Sequence, residues 1–177
     1  MVAVRNLAFM QTTRVTDLIR LDHIWFRSQF AALQAARDDA GTIASLWAAL
    51  SARLEVHAAA EEALFYPRLL KDDSDATDDT KDAIRDHNEI RDAIRDAEGQ
   101  RIGEAAWWEA VNATEHANTE HMEEEEQGPL IEFDDAASSD EQAELASAFT
   151  SFETEHAGAR GISIEDRDPD EYVADNS

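Results

Sequence analysis

Asp22-His23 and Asp86-His87 stand 64 residues apart, and the same offset carries His57 onto His121, Glu61-Glu62 onto Glu125-Glu126 and Arg27 onto Arg91. The chain has only six histidines, and four of them fall into this pattern. The rest of the two halves matches poorly, which points to a repeated geometry rather than a recent duplication. In His57-x-x-x-Glu61 and His121-x-x-x-Glu125 the spacing of four puts imidazole and carboxylate on one face of a helix. Imidazole nitrogen with carboxylate oxygen suits iron, manganese or zinc, and bridging carboxylates inside a helical bundle favour a two-metal site of the di-iron type. There is no cysteine, so a thiolate site is excluded and nitrogen and oxygen must hold any transition metal.

Such a site needs helices that bring these residues to one level. Apolar periodicity marks a first helix from about Thr13 to Asp39, stopping at Gly41. A second follows Thr42 as N-cap and runs through HAAAEEALFYP (57–67) to Pro67 or slightly beyond. After an acidic loop, KDDSDATDDT (71–80), a third spans roughly Asp79 to Ala97 and a fourth about Gly103 to Gln127, broken by Gly128-Pro129. SSDE (138–141) reads as a capping box opening a fifth helix that ends near Gly158, and 161–177 reads as an irregular or partly ordered tail. Where antiparallel neighbours bring two residues level, the turn lies near their sequence midpoint. The midpoints of His23/His57, His57/His87 and His87/His121 are residues 40, 72 and 104, beside Gly41, in the acidic loop and beside Gly103. One layer thus receives a histidine from each of four helices. Four imidazoles and two carboxylates buried together would be costly without a cation to satisfy them.

Scarce glycine (6) and proline (3) also favour an all-α chain, and 177 residues suffice for one domain with a real core. The expected architecture is an up-down-up-down four-helix bundle with an additional C-terminal helix and irregular tail. A formal net charge of −25, with 40 acidic residues and lysine only at Lys71 and Lys81, argues against nucleic acid and anionic membranes. The first twenty residues lack a secretory pattern and no run of 18 apolar residues occurs, so a cytoplasmic location is expected.

DH at 22–23, HAAAEEALFYP at 57–67, DHNEI at 86–90 and EHMEEEEQGPLI at 120–131 together resemble the hemerythrin-like, HHE cation-binding family, over roughly residues 15–132. The resemblance implies a metal-binding bundle over 13–132, with 133–177 as a C-terminal helix and tail packed on or beside it. It implies two iron ions, joined by two carboxylates and an oxo or hydroxo bridge, with zinc or manganese as substitutes. By position, His23 and His57 would serve one metal, His87 and His121 the other, and Glu61 and Glu125 would bridge. Dioxygen, peroxide or nitric oxide would be the small ligands, and the chain would be a monomer or homodimer. Oxygen-carrying hemerythrins have a second histidine one turn after the third-helix histidine, where this chain has Arg91. They place their last carboxylate five residues after the histidine, which here is Glu126. Both departures argue against reversible oxygen carriage.

Several residues compete for roles. Glu62 and Glu126 point about 100° away from the inner carboxylates on an ideal helix and read as supporting or surface groups, with Arg27 and Arg91 as their partners. His116-x-x-x-Glu120 rivals the inner pairs but has no counterpart at the 64-residue offset, and His156 lies outside the bundle. Ideal helix geometry keeps Tyr66 off the site, and Trp25, Trp47, Trp107 and Trp108 read as packing residues. Three functions follow: a di-iron protein reacting with dioxygen or peroxide, with weak peroxide-decomposing or oxidase activity; a metal-dependent sensing or binding module without turnover; and a ferritin-like oxidase. The last calls for Glu-x-x-His motifs on two helices, and the chain offers one, Glu153-x-x-His156, outside the pattern.

Overall fold

The structure, a computed structural model, describes residues 13–72 and 76–177, which are helical without strands. The bundle is built by α1 (Val15–Ala35), α2 (Ala40–Ala60), α4 (Thr77–Glu98) and α5 (Ala105–Gln127); α2 continues through a π-helical turn, Glu61–Phe65, into α3 (Tyr66–Asp72). Consecutive bundle helices pack on each other, and α5 returns to α1. Beyond them come α6 (Pro129–Ala136), α7 (Ser139–Glu155) and α8 (Pro169–Asn176). The additional helix, α7, lies against α1, α2 and the π turn, while α8 lies against α3 and α4.

Local chemistry sets the ends. Asp39, not Thr42, caps α2: its carboxylate accepts from the Gly41 and Thr42 amides at 3.1 and 3.2 Å and from the Thr42 hydroxyl. Gly41 therefore lies inside the first turn of α2 rather than ending α1. The capping box is present, with Ser138 and Glu141 satisfying each other's backbone amides. Gly103 turns the chain between α4 and α5 at φ +85, a conformation that side chains resist. The loop expected over 71–80 is shorter: residues 71–72 close α3 and 77–80 form the first turn of α4, while 73–75 lie outside the described residues. Residues 161–168 are irregular, as expected, but 169–176 form α8, capped by Asp168 and held by buried Tyr172 and Val173.

Two apolar clusters fill the bundle. Ile19, Phe65, Leu69, Ile84, Leu130 and Phe149 belong to one, and Phe26, Phe30, Leu54, Ile90, Trp107 and Met122 to the other. On three helices the histidine of the layer stands between the two: His23 between Ile19 and Phe26, His57 between Leu54 and Ala60, and His87 between Ile84 and Ile90; on α5, His121 adjoins Met122 of the second cluster. The polar layer is thus sealed at both ends by packed side chains.

Candidate metal centre

α1 contributes His23, α2 His57, the π turn Glu61, α4 His87, and α5 His121 and Glu125; all six side chains are buried. Ligand atoms of His23, His57 and Glu61 lie within 4.8 Å of one another, as do those of Glu61, His87 and His121. Glu61 belongs to both groups. One of its oxygens is 2.9 Å from His57 Nε2; the other is 3.3 Å from His87 Nε2 and 3.8 Å from His121 Nε2. Glu125 Oε2 lies 3.3 Å from His23 Nε2, and the Nε2 atoms of His87 and His121 are 3.2 Å apart. His23 Nε2, His57 Nε2, both oxygens of Glu61 and Glu125 Oε2 are buried without a hydrogen-bond partner. Orphaned acceptors and ring nitrogens facing one point are what a cation would satisfy.

Every one of these rings presents Nε2 inward because Nδ1 is engaged from behind. Nδ1 of His23 meets Glu126 at 2.9 Å, that of His57 meets Asp22 at 3.0 Å, that of His87 meets Glu62 at 3.0 Å, and that of His121 meets Asp86 at 3.5 Å. An ionised carboxylate only accepts, so each Nδ1 donates and the ring is oriented with Nε2 toward the centre. Asp22 and Asp86 carry no ligand role in the sequence pattern, although both recur at the 64-residue offset. They serve the histidine of the next helix, not the one beside them in the chain. Arg27 donates to Glu126 and Arg91 to Glu62, at 2.9 and 2.7 Å. Arg91 is itself buried and also faces Glu55 at 3.5 Å, so the position of the carrier's extra histidine holds a cationic brace.

The π turn accounts for Tyr66. An α-helix advances about 100° per residue, which would carry Tyr66 about 140° from Glu61. Here the Tyr66 amide donates to the Glu61 carbonyl, five residues back, so one more residue is spent on the rotation and Tyr66 swings inward. Its hydroxyl donates to Glu125 Oε1 at 3.0 Å, leaving Oε2 toward His23. Regular periodicity could not reveal this contact.

Charge reinforces the geometry. Burial opposes ionisation of Glu61, yet His57, His121 and His87 hold its carboxyl well below the usual range. Burial likewise opposes Glu62, and His87 and Arg91 outweigh it, lowering it to about 2. Glu126 is also lowered to about 2, by the hydrogen bond from His23 and, against partial burial, by Arg27. Burial would depress His57, but Glu61 and Asp22 hold it well above the ordinary imidazole value; against the same burial, Asp86, Glu61 and Glu125 raise His121 to about 10. Burial and the neighbouring Glu125 and Glu61 push the Tyr66 phenol well upward, which keeps it a donor.

The family model described as hemerythrin HHE cation binding domain matches residues 14–128, which spans α1 to α5. The chain belongs to this hemerythrin family. Membership makes it a cation-binding helical protein, and the matched segment contains all six inward-facing residues. No curated protein and no solved structure matched the chain. Among the described residues of this hemerythrin-like chain, no helix is long and apolar enough to cross a membrane. His116 lies on the surface with Glu120 3.5 Å away, and His156, just past the end of α7, donates from Nδ1 to the Arg160 carbonyl at 2.7 Å. In the sequence Glu153 enters only through the lone ferritin-like Glu153-x-x-His156 motif, outside the repeat. In the structure its α7 carries it to Asp22 and His57, where Arg53 bridges Asp22 and Glu153 at 2.7 and 2.8 Å.

Proposed function

We propose that the layer holds two iron ions and that the protein reacts with dioxygen or peroxide. His23 and His57 would hold one ion, His87 and His121 the other, and Glu61 and Glu125 would lie between them. The observation that carries the reading is Glu61, a fully buried carboxylate whose two oxygens face different histidine groups and have no hydrogen bond of their own. A carboxylate so placed suits a bridge, and mixed imidazole and carboxylate donors suit iron, with zinc or manganese as substitutes. When bound, an iron pair supplies redox chemistry toward dioxygen, peroxide or nitric oxide. The chain's own contribution is to fix four Nε2 atoms through carboxylate-anchored Nδ1 atoms, to hold Glu125 through Tyr66, and to exclude bulk water by the two apolar clusters.

Arg91 has no lone pair to offer, so the third-helix histidine stands without the second imidazole that an oxygen carrier supplies. Fewer nitrogen ligands leave room for a small molecule at each metal. Irreversible oxidation by air, rather than carriage, is the expected outcome. The test is to load the protein with ferrous iron without air, admit dioxygen, record the absorption spectrum, then remove the gas and finally add peroxide. A lasting ferric spectrum that peroxide perturbs is expected; repeated reversible oxygenation without loss of ferrous iron would overturn the proposal.

A further inference from the structure

We infer that the C-terminal tail, residues 161–177, is a positioning element of the metal centre, acting through Arg167 and Tyr172 on Glu62. The inference rests on the metal reading above and concerns a segment outside the family match of residues 14–128.

Glu62 is the carboxylate behind His87, and it is 1 % exposed at its side chain. Its Oε1 accepts from His87 Nδ1 and from Arg91, while Arg167 Nε of the tail lies 2.6 Å from Oε2. The related carboxylate behind His23, Glu126, has one guanidinium, Arg27, and keeps 31 % exposure. The tail therefore breaks the approximate two-fold relation of the site, closing the His87 side and leaving the His23 side nearer to solvent.

A second contact comes from the backbone. In the π turn, carbonyls look five residues ahead for a donor, and the residue five beyond Glu62 is Pro67, which has no N–H. The Tyr172 hydroxyl donates to this Glu62 carbonyl at 2.6 Å. One tail residue thus holds the side chain of Glu62 and another its main chain, in the turn that aims Glu61. The tail is fastened by further bonds to α4: Asn88 donates to the Arg167 carbonyl at 2.8 Å and accepts from its amide at 3.0 Å, and Arg95 pairs with Asp166 at 2.7 Å. Asn88 follows His87 directly, so the same clamp touches both partners of the Glu62–His87 hydrogen bond.

Partners that orient a metal-bound imidazole typically change metal retention by 10-fold or more when removed. Full-length Arg167→Ala, Arg167→Lys and Tyr172→Phe proteins, loaded with ferrous iron without air, would be compared with wild type for iron release to excess chelator. Hydrogen exchange on the metal-free forms would be followed in parallel. Arg167→Ala should release iron about 10-fold faster, Arg167→Lys should recover part of that loss, and Tyr172→Phe should speed exchange in the segment 61–66. Exchange in α1 and in the first half of α5 should stay at the wild-type rate. Wild-type iron retention in Arg167→Ala and Tyr172→Phe would overturn the inference while leaving the metal reading intact. Faster exchange spread evenly over the bundle would also overturn it, since the tail would then be a general support. If wild type binds no iron but the local exchange changes appear, the metal reading fails and the clamp on the π turn stands.

Discussion

At the level of single residues, the inward set is defined less by histidine itself than by what stands behind each ring. Tyr66 shows this well. Tyr66→Phe removes the donor to Glu125 Oε1 while keeping the ring that packs in the apolar cluster. Stability of the metal-free protein should fall by about 1 kcal/mol, and metal affinity, followed by titration, should fall by up to about 10-fold. Arg91→His, which would restore the carrier's residue, should not create a carrier. It strips the guanidinium from buried Glu62 and Glu55 and should cost about 3 kcal/mol in urea unfolding. His116→Ala, on an exposed pair, should leave metal content and unfolding unchanged. Four histidines and two glutamates were legible in the sequence because helical spacing and midpoint arithmetic constrain residues on regular helices. Tyr66 was not, because a π turn changes the rotation that such arithmetic assumes. Asp22 and Asp86 sat in plain view at the repeat offset, but their contacts cross to the next helix, which a one-dimensional pattern does not display.

Among the elements, α6 and α8 were the least readable, and of α7 only the docking face was hidden. The capping box announced the start of α7, yet nothing in the local pattern says which bundle face it covers. It covers α1 and α2, setting Phe149 edge-on to His57 and Glu153 beside Asp22. Burial, with the hydrogen bond and charge of Asp22 adding to it, raises Glu153 to about 7. The sign follows: a carboxyl raised in the folded state favours folding while protonated, so its contribution is intact below 4.5 and is lost as pH rises toward 7. Glu153→Gln mimics the protonated form. In thermal unfolding of the metal-free protein it should match wild type near pH 4 and exceed it at pH 8 by on the order of 1 kcal/mol, allowing for solvent screening. A variant less stable than wild type at pH 8 would show that Arg53 needs the Glu153 charge more than the layer needs its absence. Four bundle helices were foreseeable from period and breakers, whereas α6 and α8 are short segments whose stability comes from the surfaces they dock on.

For the whole molecule, the metal and the proton compete for the same nitrogens. Without metal, His121 is raised to about 10 and His57 is also held well above its ordinary value. Groups raised in this way stabilise the folded chain fully below 6.5, and that stabilisation is lost as pH rises through the folded value. Metal binding removes the inward protons, so uptake near pH 7 should release protons, and affinity should weaken as pH falls. The melting-temperature gap between loaded and metal-free protein should therefore widen from pH 6 to pH 9, which calorimetry at fixed salt can check. Fixed salt matters because a chain of formal charge −25 repels itself and is steadied by screening. The central claim, that one buried layer organised by Glu61 takes up a pair of metal ions, is tested most directly by titrating ferrous iron without air into wild type and Glu61→Ala. Wild type should take up two ions per chain, and the variant should lose both tight sites. No uptake by wild type, or undiminished uptake by Glu61→Ala, would contradict the claim.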